Sequence, residues 1–225
     1  FLEYAVDVAE ECRSRGIKTV AVTAGEICPD PRVEFFRQID AVNVDLKAFT
    51  DRFYYKICGG HLSPVLETLE YIHNETDCWL ELTTLLIPGE NDSDAELEQM
   101  TDWVVEKLGP EVPMHFTAFH PDWKMRDIKR TPSATLTRAR RIAMDNGVRY
   151  AYTGNVHDSK GSSTWCHNCG ELLIERDWYV LGRWGLDAKG CCSSCGEALP
   201  GHFLEKPGNF GAQRVPVTLS RYSDQ

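Results

Sequence analysis

Residues 79–108 read WLELTTLLIPGENDSDAELEQMTDWVVEKL and contain one complete strand-to-helix unit. Residues 79–87 form a short, mostly apolar run, and Pro88-Gly89 closes it. Asn91, Asp92 and Ser93 are good helix caps, and residues 94–108 follow as an acidic amphipathic helix. The same alternation extends outward in both directions. Upstream, residues 19–23 (TVAVT) and 41–46 (AVNVDL) read as strands; downstream, residues 114–119 and 150–153 do so. Between them, Leu2, Ala5, Val6, Ala9 and Cys12 fall at helical spacing before a stop at Gly16. Residues 29–40 read as a loop with a short helix; Val65, Leu66, Leu69 and Ile72 mark another helix, and residues 132–146 a last one. Strands separated by helices predict repeated βα units on a parallel sheet, an α/β fold. Five strands are fewer than the eight of a closed barrel, so the expectation is a partial (β/α) barrel. The chain opens Phe1-Leu2-Glu3, without methionine and already in a helical pattern, and is read as a fragment lacking its first strands.

After Gly154-Asn155 the composition changes. Residues 159–164 form a small polar linker, and the remainder is rich in cysteine, glycine and tryptophan, which predicts a boundary near residue 157: a barrel over 1–156 and a module over 157–225. Cys166-His-Asn-Cys169-Gly170 and Cys192-Ser-Ser-Cys195-Gly196 are two copies of one knuckle. Each places two thiolates on a tight turn, and the glycine permits the positive φ that such a turn needs. Together Cys166, Cys169, Cys192 and Cys195 supply four sulfurs for a tetrahedral site, with zinc preferred and mononuclear iron as the alternative. The 22 intervening residues slightly exceed the usual spacing of roughly 15 to 20. Residues 172–181 are expected to form strands on both sides of a charged middle, followed by a turn at residues 187–190, in a zinc-ribbon layout. Spacing prefers Cys192 over its neighbour Cys191 as a ligand, and His167 reads as a loop residue. A site with four protein ligands is structural rather than catalytic.

Nine cysteines, an odd number, with two C-x-x-C pairs favour metal over a disulfide framework and suggest the cytoplasm. No apolar run reaches the roughly twenty residues of a membrane span. The balance of 24 basic against 34 acidic residues, net −10, argues against polyanions or anionic membranes as partners. From His157 onward the charges nearly cancel: Lys160, Arg176, Arg183, Lys189, Lys206, Arg214 and Arg221 stand against Asp158, Glu171, Glu175, Asp177, Asp187, Glu197, Glu205 and Asp224. A nucleic-acid module would be basic. Trp165, Trp178, Tyr179 and Trp184 are therefore read as the module's small core rather than as a base-stacking platform.

In parallel α/β barrels the chemistry gathers where strands end. Those ends carry Thr23-Ala24-Gly25, Asp45-Leu46-Lys47, Thr83-Thr84 and Phe119-His120, an assortment able to converge on one polar ligand.

The segments TVAVTAGEICPDP, AVNVDLKAFTDRFYYKICGG, LTTLLIPGENDSDAE and HFTAFHPDWKM resemble the later half of radical S-adenosylmethionine enzymes of the pyruvate formate-lyase activating kind. The stretch YTGNVHDSKGSSTWCHNCGELLIERDWYVLGRWGLDAKG resembles the tail of the radical enzyme of the AmmeMemoRadiSam system. The resemblance implies a partial (β/α)6 barrel, S-adenosylmethionine, a [4Fe–4S] cluster held by C-x-x-x-C-x-x-C, and a 5′-deoxyadenosyl radical that abstracts hydrogen. This chain lacks that motif and the activase Gly-Gly-Glu segment; Gly59-Gly60 is followed by His61. As given, the fragment is expected to be inactive. By resemblance Thr23, Gly25, Asp45, Lys47, Thr83 and His120 bind cofactor, with Lys47 and His120 also catalytic. Thr23 and Gly25 stand where activases have Thr-Asn-Gly, with Ala24 replacing the asparagine. The implied partners are Memo-like and AMMECR-like proteins and a flavodoxin or ferredoxin as electron donor. Two alternatives remain: activation of a glycyl-radical enzyme, or an inert barrel whose zinc ribbon docks a protein.

Overall fold

Every second residue of the central strands is sealed against a layer of helices, and this alternation shapes the larger part of the molecule. The computed structural model describes residues 2–203 and 206–208, in two compact units divided between residues 161 and 162. Phe1, Glu205, Arg214, Arg221 and Asp224 lie outside the described residues.

The first unit runs α1 (Leu2–Ser14), β1 (Val20–Thr23), α2 (Pro29–Phe36), β2 (Ala41–Asp45), α3 (Asp51–Phe53), α4 (Leu62–Glu75), β3 (Trp79–Leu86), α5 (Asp94–Leu108), β4 (Met114–Ala118), α6 (Ser133–Asp145) and β5 (Ala151–Gly154). The strands pair in sequence order, all parallel. Val42 and Val44 of β2, Leu80, Leu82 and Leu86 of β3, and Met114, Phe116 and Ala118 of β4 are buried. They join Val65, Leu69 and Ile72 of α4, Leu97, Met100 and Val104 of α5, and Leu136, Ala139 and Ala143 of α6 in one core. Those helix positions recur at three and four residues, the stripe an amphipathic helix presents to a sheet.

The opposite face of the sheet is different. Asn43, Asp45, Glu81, Thr83, His115, Thr117 and Tyr152 alternate with the buried set and are only partly covered, while Val20 and Val22 on edge strand β1 are 70% and 77% exposed. All-parallel sheets ordinarily bury aliphatic side chains on both faces. A polar, half-open face on such a sheet is therefore the first structural pointer to function.

The five expected strands and the helices between them are present, and α5 spans the expected residues 94–108. A feature absent from the sequence reading lies between β2 and α4: α3 passes into a π-helical turn, Tyr54–Cys58, ended by Gly59 at φ 75°. Such turns are rare and often mark functional sites.

The start of β1 is tied to β2 by Asp40, which accepts hydrogen bonds from Lys18 Nζ (2.7 Å), Thr19 N–H (2.9 Å) and Thr19 Oγ1 (3.1 Å). The Lys18 ammonium first, and then the Thr19 N–H, hold the Asp40 carboxyl down to about 2 from its ordinary 3.8. A depressed folded-state value contributes stability above the unfolded value and loses it as pH falls through the folded one. Asp40→Asn is accordingly expected to destabilise the protein at pH 7 by about 1 kcal/mol once solvent screening is allowed for. The difference from the parent should vanish between pH 4 and 2, as read by urea midpoints along that range.

The second unit contains β6 (Thr164–Trp165), β7 (Leu172–Asp177) and β8 (Val180–Trp184) in one antiparallel sheet. Two readings are corrected here. The hairpin turns at Trp178-Tyr179 and its second strand is Val180–Trp184, so the strand pair does not straddle the charged middle of residues 172–181. Cross-strand pairing, Arg176 with Leu181 and Asp177 with Val180, places the charges within the ladder. Trp178 and Tyr179 are also not core: they occupy the hairpin tip, 59% and 76% exposed. Among the described residues the small core is made of Leu173, Ile174, Leu186 and Leu199 with Cys166 and Cys192.

Candidate functional site

The C-terminal ends of β1, β2 and β3 carry the first group of polar side chains. Thr23 ends β1 and its Oγ1 accepts the Gly25 N–H at 3.2 Å. Gly25 has φ +75°, and a Cβ there would meet Val44 Cγ1 at 2.7 Å, so both conformation and space require glycine. Asp45 ends β2 and is level with Thr83 on β3. Lys47 Nζ donates to Asp45 Oδ2 at 2.7 Å, each side chain about one-third exposed. His120 follows β4, is exposed, and makes no hydrogen bond to another described residue. Asp45 and Lys47 are thus brought together with Thr83 alongside, and His120 lies on the loop after β4, at the same C-terminal end of the sheet.

Buried partners hold this end rigid. Tyr54, 2% exposed, accepts the Lys47 N–H on its hydroxyl at 3.0 Å, and burial pushes that hydroxyl's pKa well up. Asn91 is fully buried: its Nδ2 donates to Lys47 O (2.6 Å) and Leu85 O (2.9 Å), and its Oδ1 accepts the Ile87 N–H (2.7 Å). Glu96 accepts the Phe49 N–H at 2.8 Å, and burial raises its carboxyl. The loops after β2 and β3 are therefore stitched to each other by side chains. Burial also raises the Cys58 thiol, against the pull of the Lys47 charge and with Glu26 and Asp45 adding to the rise. Glu26 accepts the His61 N–H at 3.2 Å and lies against Gly60, where a Cβ would collide with its carboxylate. Sequence reasoning missed Glu26, Tyr54 and Cys58; the Gly59-Gly60 pair was the available signal.

Across the same polar face, on β3 to β5 and level with Thr83, lies a second group that sequence reasoning also missed. His115 Nε2 lies 2.8 Å from Glu81 Oε2, and Trp79 Nε1 donates to Glu81 Oε1 at 3.0 Å. The His115 ring stacks on Tyr152, centroids 5.1 Å apart and planes inclined by 24°. Glu81 and Thr83 in β3, and His115 and Thr117 in β4, are polar residues at period two inside otherwise apolar runs, which was the signal for them.

In the second unit Cys166, Cys169, Cys192 and Cys195 place all four sulfurs within 4.8 Å of one another. The Cys166–Cys195 and Cys169–Cys192 separations are 3.6 and 3.7 Å. A tetrahedral ion with metal–sulfur bonds of about 2.3 Å requires sulfur–sulfur edges of about 3.8 Å. The two knuckles repeat one hydrogen-bond pattern. Cys166 N–H donates to Glu171 O and Gly170 N–H to Cys166 O; Cys192 N–H donates to Glu197 O and Gly196 N–H to Cys192 O. Gly170 and Gly196 take the same positive φ, 74° and 77°. The Glu197 N–H, foremost, draws the Cys195 thiol down to about 7. The Glu171 N–H likewise lowers Cys169, but its contacts with Cys195, Cys166 and Cys192 outweigh this and push it up to about 12. Four sulfurs this close cannot all ionise by themselves, and a cation removes that conflict. The donor set therefore fits a metal ion. His167 lies 3.4 Å from Glu197 Oε1, and Cys191 is outside the group of four.

No protein-family model matches the chain. It is 38% identical over 200 residues, 88% of its length, to an uncharacterized protein of Methanocaldococcus jannaschii, 59% of which is covered. A second curated relative is a GTP 3′,8-cyclase of Limosilactobacillus fermentum, 24% identical over 191 residues, covering 73% of this chain and 54% of that one. The chain thus spans between half and three-fifths of the length of these relatives. Among solved structures it is similar to a domain of pyruvate-formate lyase-activating enzyme from Bacteroides vulgatus, TM-score 0.60 at 17% identity, over 68% of this chain and 91% of that one. It is also similar to Streptococcus suis SuiB bound to S-adenosylmethionine, TM-score 0.55 at 14% identity, over 68% of this chain and 36% of that one. These structural neighbours are radical S-adenosylmethionine enzymes, and the parallel five-stranded sheet with its helices matches their fold. No helix among the described residues is long and apolar enough to cross a membrane.

Proposed function

We propose that this chain is the C-terminal portion of a radical S-adenosylmethionine enzyme of the AmmeMemoRadiSam kind, carrying a structural zinc ion in its four-cysteine module. The polar, half-open inner face of an all-parallel sheet, with Asp45, Lys47 and Thr83 at its C-terminal ends, is the observation that carries this reading. The GTP 3′,8-cyclase relative, itself a radical S-adenosylmethionine enzyme, and the fold neighbours support it.

The residues present do not fit an iron–sulfur cluster. Outside the four-cysteine group, Cys12, Cys28, Cys58 and Cys78 stand apart, and none belongs to a ligand cluster among the described residues. The cluster ligands therefore belong, in this proposal, to further length of the parent protein. Edge strand β1, with Val20 and Val22 exposed, offers the place where further parallel strands add. S-adenosylmethionine, once bound, supplies the hydrogen-abstracting chemistry. Lys47 would supply the cation for a carboxylate of cofactor or substrate, and Asp45, its present partner, would supply an acceptor for a hydroxyl. Thr83 and the loop at Thr23 and Gly25 line the same end, and His120 meets substrate from the β4 loop. Memo-like and AMMECR-like proteins, with a flavodoxin or ferredoxin as reductant, are the proposed partners in the cytoplasm.

The test uses the complete protein, reconstituted anaerobically with iron and sulfide and reduced with dithionite. It is expected to cleave S-adenosylmethionine to 5′-deoxyadenosine and methionine, and Lys47→Ala to weaken cofactor binding by about ten- to a hundredfold. Absence of 5′-deoxyadenosine, or of a C-x-x-x-C-x-x-C triplet in the complete protein, overturns the proposal.

A further inference from the structure

We propose that His115 is a general base on the inner face of the sheet, oriented by Glu81, and that it takes a proton from an O–H or N–H group of the substrate; this deepens the radical-enzyme reading and rests on it for the identity of the reaction. Three strands build the arrangement. Glu81 is the third residue of β3, His115 the second of β4, and Tyr152 the second of β5. By strand register His115 is level with Tyr152 and Thr83, and through Thr83 with Asp45, so the pair sits two strands across the same face from Asp45, with Glu81 two residues nearer the N-terminal end of β3.

The hydrogen bonds decide the tautomer. An ionised carboxylate only accepts, so the 2.8 Å contact requires the proton on His115 Nε2. Trp79 Nε1 donates to the other carboxylate oxygen and fixes the carboxylate plane. Stacking on Tyr152 fixes the imidazole plane. Nδ1 then carries the lone pair, and among the described residues it has no hydrogen-bond partner. A carboxylate that sets the tautomer and takes up the charge developing on the ring is the logic by which acid–histidine pairs act as bases.

Packing alone does not account for the pair. Glu81 and His115 are 35% and 31% exposed, partly desolvated on a face where parallel sheets otherwise carry aliphatic residues. Apolar residues of similar size would hold a sheet as well or better. In the step itself a substrate O–H or N–H bond breaks, its proton passes to Nδ1, and the electron pair stays on the substrate. The Nε2 proton remains shared with Glu81. The titratable groups facing His115 are Glu81 on β3 and Tyr152 on β5, with Asp45 on β2 on the same face.

Diethyl pyrocarbonate tests this on the 225-residue chain, because its carbonyl carbon is attacked by an accessible imidazole lone pair. Modification of each histidine is followed by peptide mass spectrometry, the six others serving as internal references. His115 is expected to react, and to react about tenfold more slowly in Glu81→Gln, where the developing charge loses its ionic partner, with the other histidines unchanged. Glu81→Asp keeps the charge but draws it back by one methylene; slowing confined to His115 is expected there too. A merely structural role predicts the opposite, because a loosened sheet exposes the ring and accelerates its reaction. An unreactive His115 in the parent, or an unchanged or faster His115 in Glu81→Asp, overturns the proposal. The assay needs neither cluster nor S-adenosylmethionine. Failure here therefore leaves the radical reading standing, and failure of S-adenosylmethionine cleavage leaves the pair standing.

Discussion

Removing the metal from the four-cysteine module is expected to unfold it. Among the described residues its buried aliphatic side chains are Leu173, Ile174, Leu186 and Leu199, and the buried Cys166 and Cys192 beside them belong to the four-sulfur group that could hold the metal. Segments this small rarely bury enough apolar area to fold without a metal or disulfides. Binding at structural zinc sites contributes roughly 10 to 16 kcal/mol near neutral pH, far more than those few side chains offer. The protein is expected to hold one equivalent of zinc, and a chelator to abolish hydrogen-exchange protection from β6 through β8. Cys192→Ser is expected to do the same without a chelator, since Cys192 is 1% exposed and one of the four clustered sulfurs proposed to hold the metal. Cys191→Ser, one residue away, should leave zinc content unchanged. Retained protection after complete chelation would show that the module folds without metal. Loss of metal in Cys191→Ser would show that the ligand set has been assigned wrongly.

The contrast between Cys191 and Cys192 also shows where sequence was enough. A knuckle is a local structure: two cysteines three residues apart and a following glycine fix the turn, so which four cysteines would cluster was readable from spacing. The βα alternation was readable for the same reason, because strand and helix periods are properties of ten or twenty consecutive residues. What escaped depended on register between distant segments. His115 and Glu81 are separated by 34 residues and meet only because β4 lies beside β3. Trp178 looked like core because it is large and apolar, yet it sits at φ 54° on a hairpin tip that no local pattern announced. The π-helical turn at Tyr54–Cys58 escaped because its sequence, YYKIC, carries no α-helical or strand period. Of the three capping candidates Asn91, Asp92 and Ser93, Ser93 caps α5 as expected, accepting the Glu96 N–H at 3.3 Å, whereas Asn91 turns to the β2 and β3 loops.

Asn91 instead carries the second large expected effect. It is fully buried and satisfies three backbone groups at once: the carbonyls of Lys47 and Leu85 and the N–H of Ile87. Asn91→Ala removes all three partners and leaves space too apolar to replace them. At about 1 kcal/mol for each stranded group the loss is about 3 kcal/mol, or roughly 6 to 12 °C in Tm for a domain of this size. Asn91→Asp separates the two halves of the clamp. A carboxylate can still accept the Ile87 N–H but cannot donate, and it sets negative charge against the carbonyls of Lys47 and Leu85. It should therefore be at least as destabilising as alanine, although it is nearly isosteric with the parent. Urea unfolding of the three proteins measures this directly. If Asn91→Asp were as stable as the parent, the two carbonyl contacts would carry no weight, and the loop bearing Lys47 would owe its position to the Tyr54, Thr84–Leu46 and Glu96–Phe49 contacts instead. If both variants lose stability as expected, Asn91 is the point at which the β2 and β3 loops are held together, and the placement of Lys47 beside Asp45 depends on a residue that touches neither side chain.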